Sequence, residues 1–378
     1  MKKKEQKIYV FGTRGFPNVQ GGVEKHCEQL YIRLARLGCN ITVFTRKPYT
    51  SHLKGVNEWQ GIKFIPLWCP KLEGIETVFH SFLATIICLI HRPDIIHIHN
   101  IGPGLMVGIL KFFRLKVIVT YHSINYHHEK WKKLPKLLLK IGEFLCVKLA
   151  NKVIVLSQST KTFLENRFSG KDFQIIPNGM EILERASKKA YIESIGLTPG
   201  KYILSVGRFV PEKGLHHLIS VFSNLQTDWK LVIAGDADHE TPYSRQLKSQ
   251  AADNSNVMLT GFIQGEALNE IYSHAGLFVL PSYHEGFPIV LLEALSYGLS
   301  VIVSSIAPNI EIGLDENRYF AVGDEKALAQ KLDDWIKKGP MPREEQAKQI
   351  EMITQKYNWN NIAEQTLRVY ESVLVGKE

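Results

Sequence analysis

The stretch Leu277-Phe-Val-Leu-Pro-Ser-Tyr-His-Glu285-Gly-Phe-Pro-Ile-Val-Leu-Leu-Glu293-Ala-Leu295 carries the strongest structural signal in the sequence. Its four leading apolar residues predict a buried strand, and the glycine and proline beyond them predict a loop that enters a helix. Pro288 suits a first helical turn, and Gly286 lets the backbone approach a ligand closely. Glu285 and Glu293 are eight residues apart, and we place Glu293 two turns into the helix.

Strand, turn and helix alternate along the whole chain. The predicted strands are Ile8–Phe11, Ile41–Thr45, Asp94–His99, Val117–Thr120, Val153–Leu156, Tyr202–Val206, Leu231–Ala234, Val257–Leu259, Leu277–Leu280 and Val301–Val303. Apolar residues at helical spacing predict helices over Val23–Leu37 and about Asn361–Leu374. Such alternation is typical of parallel sheets covered on both faces. The predicted fold class is therefore α/β, with two doubly wound Rossmann-like domains facing each other across a cleft.

The domain boundaries follow from the place where this pattern restarts. We assign residues 1–180 to the first domain and residues 181–356 to the second. Residues 357–378 are predicted to form a helix that packs back on the first domain. The apolar stretch Val78–Ile90 is too short to span a membrane, so we predict a buried helix there.

Charge is distributed unevenly between the two halves. Residues 1–180 hold 27 Lys and Arg against 11 Asp and Glu, whereas residues 181–378 hold 19 against 26. The first half is therefore expected to face something anionic, either nucleic acid or a phospholipid surface. No nucleic-acid motif accompanies the charge, so nucleic acid is not the expected partner. Five cysteines without a Cys-x-x-Cys pair, and no secretory signal, favour a cytoplasmic protein.

Two cations follow the predicted strand Tyr202–Val206. Arg208 and Lys213 flank a Pro-Glu turn, where they could neutralise the charge of a departing diphosphate. The helix start at Gly286-Phe287-Pro288 is a natural anion site, and Glu293 could accept hydrogen bonds from ribose hydroxyls. The alternative interpretation is that the glutamates are a capping acid and a surface residue, and that both cations are simply solvated.

Two adjacent glycines, Gly21 and Gly22, precede the first predicted helix. They fit close approach to a phosphate, although a plain tight turn would also use them. The spacing of this loop is not Gly-x-Gly-x-x-Gly, so a nicotinamide cofactor is not expected.

Taken together, these motifs resemble the retaining family-4 glycosyltransferases, which have the GT-B fold. Pro281–Leu295 resembles their donor site, Ser205–Leu215 their diphosphate-binding segment and Ile176–Gly179 their interdomain stretch. The resemblance implies that the second domain binds a nucleotide-sugar donor and that the first lies on the acceptor side. The opening Gly12–Glu24 is similar to a bacterial subgroup that includes rhamnosyltransferases of surface polysaccharides.

The resemblance also implies roles for individual residues. Arg208 and Lys213 would clamp the leaving diphosphate, and Glu285 would support the donor sugar or its developing charge. His122, in Thr120-Tyr-His-Ser123, resembles the family's active-site histidine near the donor sugar. The loop with Gly21 and Gly22 would border the diphosphate. In a retaining transfer the diphosphate itself could take the acceptor's proton, so no protein base is required.

Neither a metal nor another cofactor is expected, since the nucleotide sugar is a substrate. His97-x-His99 and the neighbouring His127 and His128 invite a metal interpretation, but no carboxylate or cysteine joins them at useful spacing. Asp236-Ala-Asp238 looks like the metal-binding Asp-x-Asp of single-domain transferases, and we interpret it as a coincidence of a loop.

A membrane interpretation applies to the segment Glu129–Lys152. Leucines and isoleucine form one stripe and lysines a neighbouring row, with Trp131 at the start, so the region Trp131–Lys140 could lie on an anionic membrane surface. An ordinary core-facing helix with a solvated lysine face explains the pattern equally well. Pro135 restricts the first turn, so the helix is expected to begin there.

The function that we predict is transfer of a sugar, with rhamnose as the candidate, from a nucleotide sugar to a hydroxyl of a glycan or lipid-linked acceptor. This would serve bacterial capsule or lipopolysaccharide synthesis, in the cytoplasm or at the inner face of the membrane. The alternatives are a nucleotide-sugar epimerase of the same fold and a non-catalytic polyanion-binding protein.

Overall fold

The computed structural model describes residues 6–72, 74–124 and 133–375, and the chain divides into two compact units. The first unit contains the residues up to Asn178 together with those from Trp359 onward, and the second contains Gly179–Asn358. These divisions lie two residues from the predicted ones after residues 180 and 356.

The first unit is built on a parallel sheet that most of its helices cover. Its described strands are β1 (Lys7–Phe11), β2 (Asn40–Arg46), β3 (Glu58–Trp59), β4 (Ile62–Leu67), β5 (Ile95–His99), β6 (Val117–Tyr121), β7 (Lys152–Val155) and β8 (Phe173–Ile175). Their order in the sheet is β3-β4-β2-β1-β5-β6-β7-β8, and β3 pairs antiparallel with β4. Every residue of β5 and β6 is buried, as expected for central strands of a sheet covered on both faces.

The helices of the first unit include the last helix of the chain. They are α1 (Gly22–Arg36), α2 (Ile75–His91), α3 (Val107–Phe112), α4 (Lys133–Leu149) and α5 (Gln158–Arg167), with α14 (Trp359–Val375) at the C-terminal end. Helix α14 packs on α1, and its Tyr370 Oη lies 2.7 Å from Nδ1 of His97 on β5. Pro135 is the third residue of α4, which begins two residues earlier than expected, because proline is tolerated in a first turn.

The second unit repeats the architecture with a smaller parallel sheet. Its described strands are β9 (Tyr202–Val206), β10 (Lys230–Ala234), β11 (Val257–Gly261), β12 (Leu277–Leu280), β13 (Val301–Ser304) and β14 (Tyr319–Phe320), in the order β11-β10-β9-β12-β13-β14. The helices are α6 (Ala190–Ser194), α7 (Leu215–Ser223), α8 (Pro242–Ala252), α9 (Gly265–His274), α10 (Ile289–Ser296), α11 (Ala307–Ile310), α12 (Glu325–Lys338) and α13 (Arg343–Lys356). The predicted α/β class with two doubly wound domains is confirmed.

The direction of winding reverses once in each sheet. In the second sheet β9 lies between β10 and β12, so the chain first builds outward on one side and then on the other. In the first sheet the corresponding reversal lies between β1 and β5. Loops that leave the carboxyl ends of the strands diverge at such a switch point and form a crevice, which is where open α/β sheets bind ligands.

Helix α10 begins later than the sequence suggested. Pro288 has an extended backbone and precedes the helix, which starts at Ile289. Glu293 is therefore the fifth residue of α10, a little more than one turn in rather than two. The loop after β12 is correspondingly longer, because Gly286 and Phe287 belong to it.

Helix α2 contains the helix predicted over Val78–Ile90, but only one side of it is buried. It buries a polar side that includes Glu76, His80 and Thr85, and it exposes an apolar side to water. Glu76 is held inside by Arg46, whose Nη1 lies 3.0 Å from Oε1, and by the hydroxyl of Tyr49 at 2.7 Å. A hydropathy pattern reports how apolar a segment is, but not which side of it meets the core.

The buried imidazole of His80 makes the stability of the first unit sensitive to pH. Burial, together with the nearby Arg46, lowers the pKa of His80 to about 3, whereas an unfolded histidine titrates near 6.5. Between pH 7 and pH 5 the unfolded chain takes up a proton that the folded chain does not. The free energy of unfolding should therefore fall by about 2 kcal/mol over this interval on account of His80.

Urea unfolding of the His80→Leu variant at pH 7, 6 and 5 checks this expectation. The variant should lose about 2 kcal/mol less stability than the wild type across the interval. His91→Leu is the matched control on the same helix, because its ring is exposed in the folded chain. Parallel pH profiles for the wild type and His80→Leu would contradict the prediction.

A second prediction concerns the tight packing of α4. A Cβ at Gly142 would lie 2.1 Å from the carbonyl oxygen of Ile101, whereas one at Gly108 would meet its nearest neighbour, Leu145, at 3.7 Å. Gly142→Ala should lower the free energy of unfolding by about 1–3 kcal/mol. Gly108→Ala should leave it unchanged or raise it by up to about 1 kcal/mol, because alanine is the better helix former. Equal urea midpoints for the two variants would show that α4 moves away at little cost.

Candidate donor site

Lys213 and Glu285 meet at the switch point of the second sheet. Lys213 follows β9 and Glu285 follows the adjacent strand β12, and the Lys213 Nζ lies 2.6 Å from Oε1 of Glu285. The hydroxyl of Ser282 donates to the same oxygen at 2.6 Å. Both charged side chains are largely buried, so this pair is held in a defined place. Two of the predicted site residues, remote in sequence, are thus in direct contact.

Close backbone contacts hold the loops of this site together. The backbone N–H of Tyr283 donates to the carbonyl oxygen of Glu212 at 2.8 Å. Gly214 has φ 62° and lies so close to Pro281 that a Cβ would be 2.2 Å from the proline carbonyl oxygen. Glycine is required at this position both for the left-handed backbone and for the approach. The loops after β9 and β12 therefore pack as one body.

Arg208 lies in the same group of loops, next to the end of β10. Its Nη1 lies 2.9 Å from Oδ2 of Asp238, and Asp236 accepts from Lys248 at 2.8 Å. The acidic pair that the sequence suggested to be a loop coincidence thus engages cations of its own unit. The pairing of Asp238 with Arg208 was not predicted from the sequence. The adjacency of β9 and β10 was the available signal, since it brings the two following loops together.

The start of α10 is firmly anchored. Phe287 is buried and its ring lies 5.4 Å from that of Tyr357, while the carbonyl of Pro288 accepts from the backbone of Leu291 at 3.2 Å. Gly286 lies immediately before them in the loop. The first N–H groups of an α-helix have no partner within the helix, so this turn is suited to an anion.

Glu293 is held by aromatic residues rather than by the cations. The hydroxyl of Tyr272 donates to its Oε2 at 3.2 Å, and the ring of Tyr272 stacks on that of Tyr297 with centroids 5.1 Å apart. Burial and the charge of Glu293 raise the pKa of Tyr272 well above its usual value. The structure thus brings Lys213 and Glu285 together, and it holds Glu293 by a different set of partners on the face of α10 toward α9.

In the first unit, the loop with Gly21 and Gly22 is braced by a buried ion pair. Arg14 Nη2 lies 3.1 Å from Oε2 of Glu24 in the first turn of α1, and the backbone N–H of Arg14 donates to Oε1 at 3.0 Å. Gly21 has φ 144°, and a Cβ there would meet Glu24 at 2.1 Å, so a side chain does not fit. Gly22 has open space around its Cβ position, so packing does not require glycine there.

His122 lies at the end of β6 in a cluster of buried rings. Its Nε2 is 2.8 Å from Nδ1 of His99, and the ring of His26 lies edge-on with centroids 4.9 Å apart. Burial, with neighbouring histidines, lowers the pKa of His99 and His122 well below 6.5, and burial lowers the pKa of His26 to about 4. All three rings are therefore neutral at pH 7. A neutral ring both donates and accepts, so its tautomer matters.

A chain of hydrogen bonds extends from His99 through the core of the unit. Tyr31 Oη lies 2.5 Å from Nε2 of His99 and 2.9 Å from Nδ1 of His97, and Nε2 of His97 lies 2.7 Å from the hydroxyl of Thr120. The spacing His97-x-His99 thus places both rings on one side of β5, where they form hydrogen bonds with polar residues of the same unit.

The trio His26, His99 and His122 is also the one place in the described part of the chain where a metal ion could be held. One nitrogen from each ring lies within 4.8 Å of the others, and Nε2 of His26 has no hydrogen-bond partner. The hydrogen bond between His99 and His122 would have to break before both rings could bind an ion. The observed arrangement therefore fits a hydrogen-bonded network better than a metal site. The absence of a metal stays a prediction. His127 and His128 lie outside the described residues, as do Trp131 and Lys132.

Comparison with known proteins finds a family match for each of the two units. Residues 20–182 match the family described as Glycosyltransferase Family 4, and residues 187–356 match the family described as Glycosyl transferases group 1. An uncharacterized glycosyltransferase of Methanocaldococcus jannaschii is 27% identical over 94% of this chain and 95% of its own length. The gpi3 subunit of phosphatidylinositol N-acetylglucosaminyltransferase from Schizosaccharomyces pombe is 25% identical over 93% of this chain and 78% of its own length.

Solved structures show the same fold. Sucrose-phosphate synthase from Thermosynechococcus elongatus superposes with a TM-score of 0.83 at 22% identity, covering 99% of this chain and 100% of the other. Anabaena HepE in complex with UDP-glucose superposes with a TM-score of 0.78 at 18% identity, covering 97% and 99%. The chain therefore has the GT-B fold, and it carries a family 4 glycosyltransferase domain followed by a group 1 domain.

Proposed function

We propose that the protein transfers a sugar, with retention of the anomeric configuration, from a nucleotide-sugar donor to a hydroxyl of a glycan or lipid-linked acceptor. The observation that carries the proposal is the pairing of Lys213 with Glu285 at the switch point of the second sheet, beside the loop of Arg208. The resemblance of residues 12–24 to the rhamnosyltransferase subgroup supports rhamnose as the sugar and bacterial surface-polysaccharide synthesis as the process.

The cations of this site are arranged to receive a diphosphate. Lys213 and Arg208 each face a carboxylate, so both are held at defined positions rather than free in solvent. A diphosphate carries more negative charge than a carboxylate and presents more oxygens, so it would compete for both cations. As the bond to the sugar breaks, charge grows on the leaving oxygen, and fixed cations stabilise that charge most where water is excluded.

Glu285 and the helix start would act next to the cations. A diphosphate that takes Lys213 would leave Glu285 accepting from Ser282, with its charge near the donor sugar as positive charge develops there. The N–H groups at the start of α10, after Gly286 and Phe287, would bind phosphate oxygens. Glu293, one turn farther along, would accept hydrogen bonds from the ribose in competition with Tyr272.

The reaction does not require a protein base. In a transfer with retention on one face of the sugar, the leaving oxygen and the incoming hydroxyl are neighbours, so the proton passes from the acceptor to the diphosphate. His122 is neutral at pH 7 because burial keeps its pKa low. This ring would orient a sugar hydroxyl rather than remove a proton.

The site of action proposed is the cytoplasm, at the inner face of the cell membrane. The charge of residues 1–180 supports an anionic surface as partner, since Lys and Arg number 27 against 11 Asp and Glu. In the described part of the chain, no helix is both long and apolar enough to cross a membrane.

A panel of nucleotides and nucleotide sugars in a thermal-shift assay identifies the donor. A ligand at a concentration 100 times its Kd stabilises the folded protein by about 2.7 kcal/mol, which is a shift of several degrees. Acceptor-dependent release of the nucleoside diphosphate then separates transfer from epimerisation, because an epimerase would convert the donor without an acceptor. A panel in which no nucleotide raises the melting temperature would contradict the proposal and favour a non-catalytic protein.

Variants of the donor site give the sharper prediction. Lys213→Ala and Glu293→Ala should each lower the rate of transfer at least tenfold. For comparison, removing one group that stabilises a developing negative charge typically lowers kcat on the order of a hundredfold. Lys201→Ala is the matched control, because its exposed pair with Asp228 lies away from the loops at the switch point. Near wild-type rates for both site variants, with unchanged melting temperatures, would remove these residues from the donor site.

A further inference from the structure

Helix α2 presents a strongly apolar side to water, while the side that faces the core is mixed and includes charged and polar residues. Ile75, Phe82 and Ile90 repeat at helical spacing along the outer side and are 56%, 48% and 71% exposed. The inner side buries Glu76 and His80. Water would favour the opposite arrangement, since burying apolar area is the main driving force of folding. The outer side of α2 is therefore shaped for contact with something other than water.

Helices α3 and α4 continue the same apolar surface. Phe112 at the end of α3 is 81% exposed, and Leu134 near the start of α4 is 67% exposed. Leu137 and Phe144 follow on the outer side of α4, where the inner side buries Cys146 and Val147 instead. Contiguous exposed apolar surface of this kind marks an interaction site, whereas scattered apolar residues do not.

The three helices share one side of the first sheet. Ala84 of α2, Leu110 of α3 and Val147 of α4 all pack into the same hydrophobic core cluster. Thr77 of α2 and Leu139 of α4 both approach Gly102, just before the turn that leads into α3. Their outer sides therefore form one continuous surface, which we name the α2–α4 face.

Among the described residues of α2, α3 and α4, the exposed charged side chains of the α2–α4 face are cations. The two carboxylates in the described parts of these helices are both buried: Glu76 pairs with Arg46, and Glu143 accepts from Tyr121 at 2.7 Å and pairs with Arg167 at 3.0 Å. Lysines on α4 are exposed instead, at Lys133, Lys140 and Lys148. The face thus combines apolar side chains with cations, and the described helices expose no carboxylate on it. This combination complements a surface with an anionic outer layer over an apolar interior.

We propose that the α2–α4 face binds the surface of an anionic lipid bilayer, with its aromatic and aliphatic side chains at the level of the headgroups and the upper acyl chains. The lysines of α4 contact lipid phosphates, each adding affinity that falls with salt. Binding of this kind lies along the interface and needs no spanning helix. A second copy of the chain is the less suitable occupant, because two α2–α4 faces would bring like charges together. The proposal agrees with the proposed function in bringing a lipid-linked acceptor to the enzyme, but it rests on α2–α4 alone.

Vesicle flotation of the full chain tests the proposal without donor or acceptor. We expect binding to vesicles of phosphatidylglycerol with phosphatidylcholine, and at least tenfold weaker binding to phosphatidylcholine alone. Phe82→Ser and Phe112→Ser together should weaken binding at least tenfold, and both sites are exposed, so folding should be retained. Phe262→Ser is the matched control, because Phe262 is a similarly exposed aromatic residue of the second unit.

The cationic part of the proposal has its own variant. Lys133→Gln with Lys140→Gln should abolish most of the preference for anionic vesicles, and added salt should do the same to the wild type. Absence of binding to either vesicle, or equal binding by Phe82→Ser/Phe112→Ser and Phe262→Ser, would overturn the proposal. The proposal would also be overturned if sedimentation equilibrium showed that the wild type is a dimer and the Phe82→Ser/Phe112→Ser variant is not, because the face would then be an interface between two copies of the chain. Transfer of sugar to a soluble acceptor is measured separately, so failure of one proposal leaves the other testable.

Discussion

The reversal of strand order between β9 and β12 determines where the candidate donor site lies. After β9 the chain adds strands on one side of the sheet, and after β12 it adds them on the other side. The loops that follow these two adjacent parallel strands therefore lie side by side at the same edge of the sheet. Lys213 and Glu285 are 72 residues apart in the chain, yet this arrangement brings them to 2.6 Å. The glycines that let these loops touch, Gly214 above all, are consequences of the same crowding.

Paired opposite charges hold the two cations of the candidate donor site in position. A cation buried alone would be strongly disfavoured, and a solvated one would be mobile. Pairing Lys213 with Glu285, and Arg208 with Asp238, avoids both outcomes. In the proposed function a phosphate of greater charge displaces each carboxylate, so the pairs hold the cations where a diphosphate would bind.

The first unit uses polar burial for two different purposes. Around His122, hydrogen bonds link the ring of His122 to His99 and that of His99 to Tyr31, so the buried surroundings determine how these rings are oriented. On α2 the burial of Glu76 and His80 turns the apolar side of the helix outward. Both arrangements cost stability at low pH, since an unfolded histidine gains a proton that a buried one does not. Burying these polar side chains is unfavourable by itself. We therefore interpret it as serving the features that it positions, namely the outer side of α2 and the ring of His122.

The sequence by itself determined the fold class, the strands and the residues of the second-sheet loops, because strand periodicity, glycine turns and the Glu285–Glu293 spacing are local properties. It also identified the cations after β9, which follow directly from their place in the chain. Tertiary structure alone decided which carboxylate meets which cation, that α10 begins at Ile289, and that α2 faces outward with its apolar side. These features depend on contacts between segments far apart in sequence, and hydropathy or spacing within one segment does not contain that information.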